Sequence, residues 1–307
     1  MGKASKAKRQ GSTRQQRIAA QRAAARRAEI RNRILIVSGS VVVIIAVVLA
    51  FVLVKVNSHG KSATSSANGP TGTALATVVK NTTTVPASTL DSVGAGSGVT
   101  GLPKAITGSP LTSGGKPEML YMGAEYCPFC AAERWGMVVA LSRFGTFKNL
   151  STTHSASGDE FPNTATWTFD KSSYTSKYLT FSSVEMQTNK LASDGQSYTT
   201  LQTPTAAQNA LLAKYDAPPY VASSSKGAIP FIDIGNKYMI SGSSFSPQIL
   251  QGKTWSQIAT ALKDPSSPIA KAIDGTANYI TAAICKTTGN QPASACTPTV
   301  KKLEAKL

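Results

Sequence analysis

The longest apolar run lies near the N-terminus, where Ile34 to Val54 reads ILIVSGSVVVIIAVVLAFVLV without a charged residue. At ~1.5 Å rise per residue such a run reaches across ~30 Å of hydrocarbon, so it predicts a transmembrane helix. The run is longer than the apolar region of a cleaved leader, and Lys55-Val56-Asn57-Ser58-His59 follows it instead of an Ala-x-Ala-like site. An uncleaved signal anchor is the expected reading. From Asn57 to about Ala74 the chain is Ser, Gly, Thr, Ala and Lys with almost nothing to bury, which predicts a flexible tether over 55–74.

Beyond the tether the spacing of apolar positions predicts an α/β domain over residues 75–307. Val85-Pro86-Ala87-Ser88-Thr89-Leu90 opens a short helix, with Pro86 suited to a first helical position and Gly94 to a stop. Residues 94 to 117 return to Gly, Ser, Thr and Pro and are expected as an ordered loop. Met119 to Gly123 is a short apolar run that fits a buried strand. After it, Trp135, Val138, Val139 and Leu141 share one face of a helix over 131–144, closed by Gly145. Leu150 to His154 and Tyr178 to Met186 carry the Thr, aromatic and branched residues of strands, expected to flank the first strand in one sheet. Thr205 to Tyr215 predicts a helix, Ile229–Ile234 and Lys237–Ile240 a hairpin around Gly235-Asn236, and Trp255–Leu262 and Ile269–Ile284 two closing helices.

Charge assigns the orientation. The formal net charge is +17, and between Lys3 and Arg33 basic residues accumulate against a single acid, Glu29. A basic arm over 1–33 on the N-terminal side of the span predicts a cytoplasmic N-terminus and a main domain outside a cell membrane that the chain crosses once. The same arm has the composition of a helix that attracts nucleic-acid phosphates. Its place beside the span favours a topology determinant that also meets anionic lipid, at ~1 kcal/mol per basic residue. The lipid bilayer, contacted through residues 34–54, is therefore an expected partner and nucleic acid is not.

The four cysteines fall into two pairs. Cys127 and Cys130 are two residues apart, after a predicted strand and at the start of a predicted helix. There, unpaired backbone N–H groups and the helix dipole stabilise a thiolate on the first cysteine. Cys127 is the expected nucleophile and Cys130 the resolving thiol. A Cys-x-x-Cys is also half of a tetrahedral zinc site, but Cys285 and Cys296 have the wrong spacing for the other half, and the histidines are His59 in the tether and His154. No metal is expected. Cys285 and Cys296 are expected as a structural disulfide in an oxidising compartment, closing a short loop. A structural Cys127–Cys130 bridge is the alternative for the first pair.

The segment Met122-Gly123-Ala124-Glu125-Tyr126-Cys127-Pro128-Phe129-Cys130 resembles the active-site segment of the thioredoxin superfamily, and Ala228-Ile229-Pro230-Phe231-Ile232 resembles its cis-proline segment. From Gly123 to Trp135, and over most of residues 75 to 300, the chain also resembles an uncharacterised family of membrane-anchored thioredoxin-like proteins, domain of unknown function 929. The resemblance implies a thioredoxin-like mixed sheet flanked by helices, with an insertion between Cys130 and Pro230 and the transmembrane helix in front. It implies that Ile229 and Pro230 align a bound substrate chain. Tyr126 and Phe129 are expected to be exposed beside the disulfide and to bind substrate with them. The buried acid that thioredoxins carry six residues before the first cysteine is Tyr121 here, so Glu125 and Glu133 are the candidates for proton transfer. Trp135 reads as core, and His154 as a strand-surface or core residue. The expected function is a membrane-anchored, extracytoplasmic thiol-disulfide oxidoreductase. It would act on protein thiols or disulfides of envelope or secreted proteins, with a membrane redox partner and no cofactor. The alternative is a redox-inert thioredoxin-fold binding module.

Overall fold

A computed structural model describes residues 69–307. The expected basic arm over 1–33 and transmembrane helix over 34–54 lie outside the described residues. The first elements are α1 (Gly72–Thr83), which begins where a tether was expected, and α2 (Ala87–Val93), entered through Pro86 and stopped at Gly94 with φ 58°. The loop expected over 94–117 carries two short strands, β1 (Lys104–Ala105) and β2 (Thr112–Ser113). Then come β3 (Lys116–Gly123), α3 (Pro128–Ser142), β4 (Gly145–Lys148), β5 (Ser151–His154), β6 (Ala165–Thr168) and β7 (Ser173–Ser176). β8 (Thr180–Glu185), β9 (Gln187–Leu191), β10 (Tyr198–Thr200) and α4 (Ala206–Tyr215) follow. The chain closes with β11 (Phe231–Ile234), β12 (Tyr238–Ser241), α5 (Trp255–Ala261), α6 (Pro268–Thr287) and α7 (Pro298–Glu304).

Helix starts are written locally. Thr205 with Gln208, and Thr254 with Gln257, form reciprocal capping boxes on α4 and α5. Ser267 before Pro268, and Thr297 before Pro298, combine a side-chain cap with a proline at the first turn of α6 and α7.

β3 is central in a six-stranded sheet of order β1-β12-β11-β3-β2, with β8 parallel to β3. Its apolar residues run without alternation because both faces are covered. Met119 and Tyr121 join Ile232, Ile234 and Ile240 beneath the helices, while Leu120 and Met122 join Phe231, Met239 and Tyr215 on the opposite face. α3 and α6 pack closely across Gly136, where a Cβ would stand 2.6 Å from the Thr276 methyl. A larger residue at 136 would push the two helices apart.

Two expectations are corrected. β5 does not flank β3: it pairs with β6 in a separate two-stranded ribbon, one of three such ribbons with β4–β7 and β9–β10. Its Ser, Thr, Thr and His are all half-buried, and a strand without apolar residues on either face cannot occupy the middle of a sheet buried on both sides. The expected fold class, a thioredoxin-like mixed sheet preceded by a single transmembrane helix, also gives way. The described residues form a mixed α/β domain of one sheet with helices and added ribbons, and no helix among them is long and apolar enough to cross a membrane.

Candidate dithiol site

β3 ends at Gly123, at the C-terminal end of this central strand, and α3 begins five residues later. Cys127 is the N-cap of α3, in extended backbone at φ −75° and ψ 121°, with Pro128 at the first helical position. A side chain at the N-cap faces the free N–H groups of the first turn. Cys127 Sγ accepts the Cys130 backbone N–H at 3.3 Å, which aims a partial positive charge at the sulfur where a thiolate would form. Both cysteines are free thiols, Cys127 5% exposed and Cys130 wholly buried, so only the first residue is open at all to an approaching molecule.

The two sulfurs titrate in opposite directions. A hydrogen bond from the Cys130 thiol, opposed by burial and helped by backbone N–H groups and Arg134, lowers Cys127 below the ordinary thiol value. Burial first, and then the hydrogen bond to Cys127, pushes Cys130 well above it. This division matches a nucleophile and a protonated resolving thiol.

Ile229 and Pro230 lie directly against the site. Their peptide bond is cis, and the Ile229 carbonyl oxygen is 3.8 Å from Cys127 Sγ. Tyr126, expected to be exposed, is half-buried because it stacks on Tyr198 of β10 with centroids 4.2 Å apart, whereas Phe129, 36% exposed, meets Phe161 edge-on at 5.9 Å. The region between Cys130 and Pro230 therefore supplies both aromatic partners at the mouth of the dithiol.

The two candidate acids sit apart. Glu125 is half-buried, with a pKa raised by burial against the bond from the Thr168 hydroxyl. It borders a cleft of about 470 Å³ lined by Thr152, His154, Asn189 and Lys190. Glu133 is buried, and burial pushes its carboxyl up to about 7 against two bonds from Ser244, the backbone N–H at 2.7 Å and the hydroxyl at 3.0 Å. Those bonds tie Glu133 to the loop after β12, and neither acid is among the leading influences on the two thiols. Trp135 is core, its indole N–H donating to the Ala165 carbonyl at 2.9 Å, and the His154 Nδ1 lies 2.8 Å from the Ser155 carbonyl.

A charged group that does act on both thiols is Arg134, one turn beyond Cys130 and wholly buried. Its Nε and Nη2 donate to Glu185 of β8 at 2.8 and 2.6 Å, and Nη2 also donates to the Ala124 carbonyl at 2.7 Å. The sequence held one signal for it. Residues 131–141 are apolar on nearly every side of their helix, so a charge among them has to be buried and paired. Among the described residues no three of His, Cys, Asp and Glu gather into a metal-holding group. A disulfide joins Cys285, near the end of α6, to Cys296, eleven residues on.

No curated protein and no solved structure matches the chain. A family model described as "Domain of unknown function (DUF929)" matches residues 104–286, more than half of the chain and including the whole dithiol site, and the chain belongs to that family.

Proposed function

We propose that this protein is a thiol-disulfide oxidoreductase acting on protein substrates outside the cytosol. The observation that carries the reading is Cys127 Sγ at the N-cap of α3, accepting a backbone N–H and lowered in pKa while its neighbour Cys130 is held protonated. The resemblance of residues 122–130 and 228–232 to the thioredoxin superfamily supports the same chemistry. The Cys285–Cys296 disulfide supports an oxidising compartment.

In the reducing direction the Cys127 thiolate attacks a substrate disulfide R–S–S–R′, forming Cys127–S–S–R and releasing R′–S⁻, which takes a proton from solvent. Cys130 then loses its proton and attacks Cys127 Sγ. The Cys127–Cys130 disulfide forms, R–S⁻ leaves and is protonated, and two electrons have passed from the protein dithiol to the substrate. The oxidising direction is the reverse. The Ile229 carbonyl beside Cys127 is the natural backbone acceptor for a substrate N–H.

Titrating the full chain against glutathione redox buffers tests this. A reversible Cys127–Cys130 couple between about −120 and −230 mV is expected. Cys130→Ser should accumulate mixed disulfides with other proteins, and Cys127→Ser should accumulate none. A pair that stays oxidised below about −300 mV would favour a structural bridge in a redox-inert binding module. The near-complete burial of both cysteines is the observation that favours this second reading.

A further inference from the structure

Tyr121 occupies a position the exchange chemistry leaves unexplained. It is wholly buried on β3, its ring edge-on to Phe169 at 5.2 Å and 5.7 Å from the Arg134 guanidinium carbon, and its hydroxyl has no hydrogen-bond partner. Buried hydroxyls without partners are uncommon and call for an explanation. The hydroxyl fits there because residue 123 is glycine. A Cβ on Gly123 would overlap the Tyr121 hydroxyl and stand 3.0 Å from Cys130 Sγ. Oxygen and resolving sulfur therefore border the same small space. A second buried donor, Arg134 Nη1, is also without a partner one turn along the helix from that sulfur.

We propose that the Tyr121 hydroxyl is a hydrogen-bond donor held for the Cys130 thiolate, stabilising the resolving sulfur as it forms. The inference rests on the thiol-disulfide reading above. A neutral thiol is a weak acceptor, which leaves the phenol unpaired in the dithiol form, whereas a thiolate is a strong one. The charged and titratable groups facing this space are Cys127, Cys130 and Arg134 from α3 and Glu185 from β8. Burial, then the sulfurs and the Glu185 carboxylate against the opposing Arg134 charge, hold the phenol well above its ordinary value. The phenol thus stays protonated and donates, and takes no proton itself. In the resolving step the Cys130 proton ends on the departing substrate thiolate, the Cys127–Cys130 bond forms, and the Cys127–substrate bond breaks.

The test starts from full-chain Cys127→Ala, in which Cys130 is titrated by its ultraviolet thiolate absorbance with Tyr121 intact or with Tyr121→Phe. Loss of the donor is expected to raise the Cys130 titration by about one pH unit, a tenfold loss of thiolate at fixed pH. In the protein with both cysteines, Tyr121→Phe should slow release of glutathione from a Cys127 mixed disulfide about tenfold at neutral pH and leave formation of that mixed disulfide unchanged. If Tyr121→Phe does not fold, 3-fluorotyrosine at position 121, an isosteric and stronger donor, should lower the Cys130 titration. Equal titrations with and without the donor would overturn the inference, whether or not exchange occurs. Absence of any glutathione release from the unaltered protein would instead sink the oxidoreductase reading.

Discussion

A guanidinium without solvent access is held at position 134 because both oxygens of Glu185 and the Ala124 carbonyl receive it. Two ions removed from water recover little net stability from each other, but removing one partner leaves the other uncompensated. Arg134→Met is therefore expected to destabilise the domain by about 3–5 kcal/mol in urea denaturation, and Arg134→Met with Glu185→Leu by less. The single variant should also raise the Cys127 titration, because Arg134 is one of the groups lowering it. Gly123 is constrained from the opposite side, by the Tyr121 hydroxyl and Cys130 Sγ. Gly123→Ala overpacks that space and should cost about 1–3 kcal/mol, with disturbed Cys130 chemistry.

Among the elements, α6 carries a buried carboxyl without a partner. Asp274 is buried with neither carboxyl oxygen hydrogen-bonded, and burial raises its pKa from 3.8 to about 8. The folded state binds this proton more tightly than the unfolded chain, so stability from Asp274 is full below about pH 4 and is lost as pH rises toward 8. Glu133 and Asp233, each raised to about 7, act in the same direction, so the effect of Asp274 has to be isolated by substitution. Asp274→Asn should raise the Tm near pH 8 by about 2–4 °C for every kcal/mol recovered, and change it little near pH 4. Calorimetry at the two pH values checks the sign. The α6–α7 corner is closed by Cys285–Cys296. Cys296→Ser should lower stability by about 2–3 kcal/mol through the freed loop, without changing the potential of Cys127 and Cys130.

Across the described domain, the ribbons between α3 and α4 turn the C-terminal end of the central strand into a bordered site. Tyr198 and Phe161 reach the aromatic residues beside the thiols from that region, and Glu125 faces the cleft lined by β5 and β9. Shortening the β9–β10 ribbon removes the partner of Tyr126. It is expected to weaken exchange with a folded protein disulfide more than with glutathione, which is too small to use that wall. Comparing the two exchange rates in one variant is the corresponding measurement.

The pattern of residues along the chain by itself determined the central elements. The apolar run at Met119–Gly123, the Cys-x-x-Cys at a helix start and the hairpin around Gly235-Asn236 lie where local propensity, capping and turn chemistry put them. Long-range pairing was decided only by the tertiary structure. Strand propensity marks Leu150–His154 as extended but not which strand it meets, and its polar residues exclude it from a sheet buried on both faces. The same holds for charge. Arg134 and Glu185 are fifty-one residues apart, and nothing local links them until α3 and β8 bring both into the space beneath Cys130. Glu133, the neighbouring carboxylate in sequence, faces Ser244 instead, because adjacent residues of a helix point about 100° apart.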